Sequence, residues 1–360
     1  MAEPRLPSEA GDARDPRAPA PGDLPIERIT GNGSIREALR GGVVAIGNFD
    51  GVHRGHRTVL DAALVRARTE ERPALVLTFE PHPRELFTGQ RVPRLTPPRE
   101  RALVLGLVGF DAVIEQPFDR ALAALDPDAF VERILDGRLG ASHVVVGHDF
   151  RYGAQRAGDA GTLRERVGGL DVVEPHRGTD GAIVSSSAIR EALAEGEVGH
   201  AGEALGRRWR VSGEVLHGRK VGRTIGYPTA NMALDAPDML AHGIYAVRLR
   251  RADGTLHDGV ASHGRRPTFD DGAPLLETHL FDFSGDLYGE SVHVSLFGRL
   301  RGEERFDSVE ALVAQMDRDS LAARAMLREA EPLGAIDRAL SFPPGPRGVE
   351  PAPAIGTDGS

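Results

Sequence analysis

The stretch GNFDGVHRGHRTVL (residues 47–60) sets His53 and His56 three apart, where an apolar run gives way to a helical pattern. At the mouth of a helix that spacing lets both imidazoles face one point. Gly47 and Gly51 permit tight turning and close approach of a phosphate, while the helix start offers N–H groups and a dipole to negative charge. Nucleotidyl transfer needs donors aimed at the oxygens of an α-phosphate as pyrophosphate departs, and an imidazole near its pKa can supply them. Gly55, between the histidines, removes a side chain where the phosphate must pass. A rival reading takes Asp50, His53, His56, His148 and Asp149 as metal ligands of a phosphohydrolase. It gives no reason for Gly55 or for the serines that follow.

Those serines lie in VSSSAIREAL (184–193), where Ser186 and Ser187 open a helix and Arg190 follows one turn on. Hydroxyls and N–H groups at a helix start, with a guanidinium beside them, suit the β- and γ-phosphates that leave as pyrophosphate, although taken alone a capped helix with a solvated arginine explains them better. A second stretch, HGRKVGRTIGYPTANM (217–232), carries Gly218, Gly222 and Gly226 among two arginines and a lysine. It lacks the GKS or GKT ending of a Walker loop, and taken alone an ordinary hairpin turn explains it as well. Thr229 and Asn231, two apart in an extended segment, share a face and can share one cation with ATP oxygens. Glu277, alternating with apolar residues, is a carboxylate able to take a hydroxyl proton, or simply a residue facing solvent.

Between residues 40 and 200 the runs VVAIG (43–47), ALVLTF (74–79), DAVIE (111–115), HVVVG (143–147) and LDVVE (170–174) are short, continuous and β-branched. Helical patterns alternate with them: HRTVLDAALVRA puts Val59, Leu60, Ala63, Leu64 and Ala67 on one stripe. This grammar predicts a doubly wound α/β domain with a parallel sheet, whose ligands bind outside the carboxyl ends of its strands. From Trp209 the apolar residues alternate instead, as in SVHVSLF (291–297), which predicts an antiparallel sheet or small β-barrel. A helix from about Ser308 to Leu327, with Asp307 and Glu310 as a capping box, closes that domain. The expected division is a tail over 1–25, domains over 26–200 and 201–335, and a second tail over 336–360.

A formal net charge of −9 leaves no footprint for general nucleic-acid binding, and the absence of cysteine excludes disulfides and thiolate chemistry. No apolar run approaches the roughly 20 residues that span a bilayer, and the N-terminal stretch lacks a secretory pattern. The expected setting is the cytoplasm, with no membrane and no nucleic acid as partner.

GNFDGVHRGH resembles the HxGH motif of nucleotidyltransferases, in the form carried by prokaryotic bifunctional riboflavin kinase/FMN adenylyltransferases, the FAD synthetases. TFEPHPRELF (78–87), VVGHDFRYGAQRAGDAGTL (145–163) and VSSSAIREAL resemble the same family in the same order, the last with Ser187 where the family has Thr. GYPTAN resembles the riboflavin-kinase signature GxPTAN, DLYG (286–289) is a further match, and residues 300–324 resemble the loop and helix that cover the flavin. In GVASHGRRPTF (259–269), His263 stands where an apolar residue is more usual.

The resemblance implies that the C-terminal domain phosphorylates riboflavin to FMN with ATP and Mg²⁺, and that the N-terminal domain adenylylates FMN to FAD. It assigns Glu277 as the base, Thr229 and Asn231 to the metal, and Gly218, Gly222 and Gly226 to the nucleotide of the kinase. For adenylyl transfer it assigns His53, His56, Ser186, Ser187 and Arg190 as catalytic, with Gly47, Asn48, Phe49, Asp50, Gly51, Gly55 and Asp149 lining the nucleotide site. Riboflavin, FMN and ATP are the small-molecule partners it implies; it names no protein partner. The alternatives are a related transferase acting on a modified flavin or another nucleotide, and a flavin-binding regulatory protein.

Overall fold

The first strands are buried on both faces because helices cover them from each side, which is why their sequences show no alternation. The computed structural model describes residues 24–178, 181–217, 226–264 and 274–344. Its first half contains β1 (Glu27–Thr30), β2 (Val43–Ile46), β3 (Ala74–Glu80), β4 (Ala112–Pro117) and β5 (His143–Gly147). A two-stranded ribbon, β6 (Arg151–Tyr152) and β7 (Gly158–Asp159), precedes β8 (Leu170–Val173). The main sheet is parallel in the order β1-β4-β3-β2-β5-β8. From β2 the chain builds outward through β3 and β4, then returns to add β5 and β8 on the other side. The crevice above β2 and β5 is therefore the topological switch point, where a doubly wound sheet binds ligands.

The helix Arg54–Thr69 lies over this sheet and buries the stripe of Val59, Leu60, Ala63, Leu64 and Ala67 expected of it. The helices Ser186–Glu195 and Val198–Leu205 pass toward the second domain, and Ile189, Leu193 and Leu205 share a core with Tyr245, Leu276 and Val294 of the barrel.

The barrel consists of β9 (Arg210–Glu214), β10 (Ala230–Ala233), β11 (Gly243–Arg250), β12 (Leu256–Gly264), β13 (Leu275–Leu280) and β14 (Ser291–Arg301). All its pairings are antiparallel, in the order β10-β13-β12-β11-β14-β9, and a bridge between Leu216 and Asn231 brings the free edges together. Val292, Val294 and Leu296 point inward and are essentially fully buried, as their alternation requires. The helix Val309–Glu329 packs across β11, β12 and β14. Its N-cap is Ser308, whose Oγ accepts the Ala311 N–H at 3.1 Å, and not the Asp307–Glu310 box read from sequence. A hydroxyl one residue later satisfies the same orphan donors, so the helix starts one residue further on.

Residues from 336 were expected to form a tail, yet Ala335–Ser341 is a helix. Leu340 is buried against Ile26, Ala102 and Leu105 of the first domain. Asp337 is fully buried, accepts the N–H groups of Arg208 and Leu333 at 2.9 and 3.0 Å, and pairs with the Arg208 guanidinium. Arg250 donates to the carbonyls of Leu340 and Ala339 at 3.0 Å each, satisfying the end of this short helix. A helix of about two turns held mainly by arginines leaves no hydrophobic period in the sequence. Residues 1–23 and 345–360 lie outside the described residues.

The junction between domains is polar and buried. Arg210 makes a two-pronged ion pair with Glu100, Nε to Oε1 at 2.7 Å and Nη2 to Oε2 at 2.8 Å, with both residues less than a tenth exposed. The Trp209 indole donates to the Leu95 carbonyl at 2.9 Å.

Candidate active sites

The loop after β2 holds three departures from ordinary backbone within four residues: Phe49 at φ 47°, Gly51 at φ 90° and Val52 at φ 42°. Two of these are bulky residues in the left-handed region, a strain that persists only where the surroundings enforce it and that gathers at functional sites. A side chain at Gly47 would meet the Phe49 ring at 2.9 Å, so the loop folds tightly back on the strand end.

This loop delivers His53 as the N-cap of Arg54–Thr69, its Nδ1 accepting the His56 N–H at 3.2 Å. With Nδ1 occupied as acceptor, the His53 proton resides on Nε2 and is available to a ligand. The His53 and His56 rings stack with centroids 3.6 Å apart and planes 19° from parallel. His56 Nδ1 and Asn48 Oδ1 are enclosed and have no hydrogen-bond partner among the described residues. Enclosed polar atoms without partners are costly unless something else satisfies them.

Burial pushes the His53 imidazole down to about 4, helped by the positive charges of Arg207 and Arg190. His56 is held well below its ordinary range by burial, then by His53 and Arg101. Both rings are therefore neutral donors at pH 7, which corrects the expectation of imidazoles titrating near their usual value. The low dielectric that discharges them also strengthens the hydrogen bond each can give.

A histidine near 4 when folded and 6.5 when unfolded binds fewer protons in the native state between those values. Stability should thus rise from pH 4 to about 6.5 and level off above it. For His53 the effect is on the order of 3 kcal/mol at most. His293, also pushed to about 4 by burial and Arg210, adds to the same slope. Denaturant unfolding between pH 4 and 8 should show this slope, reduced in His53→Asn, which retains an N-cap oxygen; a pH-independent midpoint would contradict the burial of these rings.

Asp50 is buried and its carboxylate is taken by the protein. It accepts the N–H groups of Leu95 at 3.2 Å and Thr96 at 3.0 Å and pairs with Arg190 Nη2. Arg190 Nε donates to the Pro93 carbonyl at 2.9 Å, so this guanidinium is fixed at the edge of the histidine loop. Ser186 Oγ donates to the Asp50 carbonyl at 2.8 Å, while Ser187 is exposed at the first turn of its helix. The true N-cap is Ser185, whose Oγ accepts the Ala188 N–H at 3.2 Å. Gly55 differs in detail from its expected role: a Cβ there would meet the Val184 carbonyl at 2.8 Å and the His53 ring at 3.1 Å. It is the close approach of the serine segment, and not open space for a phosphate, that excludes a side chain.

Asp149 is exposed at the end of β5, across the switch point from Gly47. The rival metal cluster is not assembled: among the described residues no group of three His, Asp or Glu could hold a metal ion. Sequence reasoning missed Arg101, which is 2 % exposed and donates to the Asn48 carbonyl at 3.2 Å and to Glu80 at 3.2 Å, bracing the loop from beneath. No spacing rule connects these residues.

In the barrel, Asn231 of β10 stands directly opposite Glu277 of β13, and Glu277 opposite Ser262 of β12. Residues opposed in an antiparallel pair share a face, so an amide, a carboxylate and a hydroxyl line one strip of the barrel. Thr229 precedes β10, and its carbonyl accepts the Asn231 Nδ2 proton at 3.4 Å. Ser262 lines a cavity of about 570 Å³ together with Ile244, Arg301, Phe306 and Leu312. The covering helix is tied down by Asp319 to Arg301 at 2.7 Å, by Asp317 to the Tyr227 hydroxyl and by Arg324 to Asp282 at 2.7 Å. Gly226 sits at φ 86° in a turn. Gly218 and Gly222 lie outside the described residues.

Residues 35–188 match the family model of FAD synthetase and residues 205–327 that of riboflavin kinase. A bifunctional riboflavin kinase/FMN adenylyltransferase of Haemophilus influenzae is 40% identical over 306 residues, 83% of this chain and 99% of its own. The protein of the same description from Escherichia coli K12 is 40% identical, covering 83% of this chain and 97% of its own. A solved structure from Streptococcus pneumoniae, described as a macrolide-efflux protein, aligns with TM-score 0.73 and 31% identity over 85% of this chain and 100% of its own. That description belongs to the other protein; among the described residues here no helix is long and apolar enough to cross a membrane.

Proposed function

Since the chain belongs to the bifunctional riboflavin kinase/FMN adenylyltransferase family, we propose a division of labour between its two clefts and a role for each residue in them. The enzyme phosphorylates riboflavin to FMN in the barrel and adenylylates FMN to FAD over the parallel sheet. The observation that carries the residue assignment is the stacked, neutral His53–His56 pair at the switch point, with His56 Nδ1 and Asn48 Oδ1 enclosed and unanswered.

In adenylyl transfer an oxygen of the FMN phosphate attacks the α-phosphorus of ATP. The new O–P bond forms as the bond to the β-phosphate breaks, and pyrophosphate leaves. His53 Nε2–H and the His56 imidazole donate to the non-bridging oxygens of the α-phosphorus, where charge builds. Ser186, Ser187 and Arg190 hold the leaving pyrophosphate, and Asp50 orients Arg190 while leaving its Nη1 for the phosphate. The strained loop of Gly47, Asn48, Phe49 and Gly51 shapes the nucleotide pocket, and Asp149 meets the adenosine end.

In the barrel Glu277 accepts the proton of the ribityl 5′-hydroxyl, whose oxygen attacks the γ-phosphorus and releases ADP. The Thr229 hydroxyl and the Asn231 amide oxygen are hard donors that fit Mg²⁺, which takes few protein ligands and completes its shell with phosphate and water. Mg²⁺ bound there with ATP would neutralise charge on the transferred phosphoryl group. The cavity beside Ser262 takes the flavin ring, one strand away from Glu277. We place the enzyme in the cytoplasm, with riboflavin, FMN and ATP as its partners and no nucleic acid.

Incubation with riboflavin and ATP, followed by chromatography, should yield FMN and then FAD when Mg²⁺ is present and neither when it is chelated. Riboflavin and FMN both left unchanged with Mg²⁺ present would overturn the reading.

A further inference from the structure

Arg207 is a buried cation with no carboxylate at ion-pair distance; the negative charges of Glu100, Asp337 and Asp50 reach it only from further off. Among the described residues, the other buried arginines, Arg101, Arg210 and Arg248, each face a carboxylate, whereas Arg207, only 5 % exposed, forms no ion pair. Its hydrogen bonds are long: Nη1 to the carbonyls of Val52 at 3.5 Å and Leu205 at 3.4 Å, and Nη2 to Thr96 Oγ1 at 3.3 Å. Taking such a charge out of water is expensive, and a local rule broken without a visible compensating gain marks a functional position.

Its contacts reach both arms of the adenylyltransferase site. Val52, in the left-handed region, immediately precedes His53. Thr96 donates its N–H to Asp50, which holds Arg190. Arg207 itself lies beyond the FAD synthetase match, which ends at residue 188, and inside the riboflavin kinase match, which begins at 205.

We propose that Arg207 is a positioning residue for FMN adenylylation: it braces the peptide behind His53 and the Thr96–Asp50 support of Arg190, and offers a positive charge that no ion pair takes up to the polyphosphate bound across that loop. The inference rests on the assignment of His53 and Arg190 given above. Burial lowers the Arg207 guanidinium only to about 10, the charges of Glu100, Asp337 and Asp50 opposing it, so it stays charged at neutral pH, and its charge is felt at the His53 ring. One consequence is that the adenylyltransferase site is completed from the barrel side of the domain junction.

The test compares Arg207→Met, Arg207→Lys and Arg207→Gln in the full-length chain. Arg207→Met should lower kcat/KM for ATP in FMN adenylylation by about tenfold or more. It should leave riboflavin phosphorylation unchanged and keep or raise the thermal midpoint, because a buried charge that forms no ion pair has been removed. Arg207→Lys should restore most of the loss, and Arg207→Gln, which can hydrogen-bond without charge, should not. Unchanged adenylylation in Arg207→Met, or loss of both activities together with a lower midpoint, would overturn the proposal. Should Arg207→Met fail to fold, Lys against Gln decides it: adenylylation about tenfold better with Lys supports the charge, and equal rates refute it. His53→Asn run in parallel separates the two inferences: if it too adenylylates FMN normally, the site assignment itself has failed.

Discussion

Replacing His53 and His56 together by alanine should stop FAD formation and let FMN accumulate. Two neutral donors in an enclosed site are lost, and removal of a single preorganised donor to a developing oxyanion costs about 10²–10³ in rate. The double variant should therefore fall by more than about 10³-fold in FMN adenylylation. The loss is specific because the histidines sit on the loop after β2, while the barrel keeps Asn231, Glu277 and Ser262 in register on its own strands. Losing the His53 N-cap weakens one helix by about 1 kcal/mol, too little to unfold a domain. Riboflavin phosphorylation, measured on the same preparation, reports that the chain is folded. If FAD still forms at near the original rate, the donors lie elsewhere.

Glu277→Gln should have the opposite effect. The amide keeps the size of the side chain and its place opposite Asn231, but cannot take the ribityl proton. General-base removal costs about 10²–10⁴-fold, so FMN formation should fall by that factor. FMN supplied from outside should still become FAD, since the stacked histidines and the Asp50–Arg190 pair are untouched. Equal loss of both activities in a folded Glu277→Gln enzyme would contradict the separation of the two sites.

The elements were legible where one physical rule dominates. Continuous β-branched runs gave the parallel sheet because its strands are covered on both faces, and the alternation of Val292, Val294 and Leu296 gave the barrel because only one face looks inward. Histidine spacing brought His53 and His56 to one place. What escaped were features set by distant parts of the chain. The Asp50–Arg190 pair joins residues 140 positions apart, and the reason for Gly55 is a carbonyl from residue 184. The positive φ of Phe49 and Val52 contradicts their own local preference, and only the folded surroundings impose it. The neutrality of the histidines follows from burial, which residue type alone does not disclose. The helix Ala335–Ser341 is held by arginine side chains from the barrel and by its own Leu340 set into the first domain, so its sequence carries almost no signal.

The most direct test follows two phosphorus labels through one reaction. Riboflavin, Mg²⁺ and ATP labelled separately at its α- and γ-phosphorus are supplied to the enzyme, and FMN, FAD, ADP and pyrophosphate are separated. The γ-label should enter FMN, be carried into FAD and also appear in pyrophosphate, while the α-label should enter FAD and the ADP left by the kinase step but never FMN, with one pyrophosphate released for each FAD formed. An α-label absent from FAD, or a γ-label absent from FMN, would show that the two clefts do not break the bonds assigned to them.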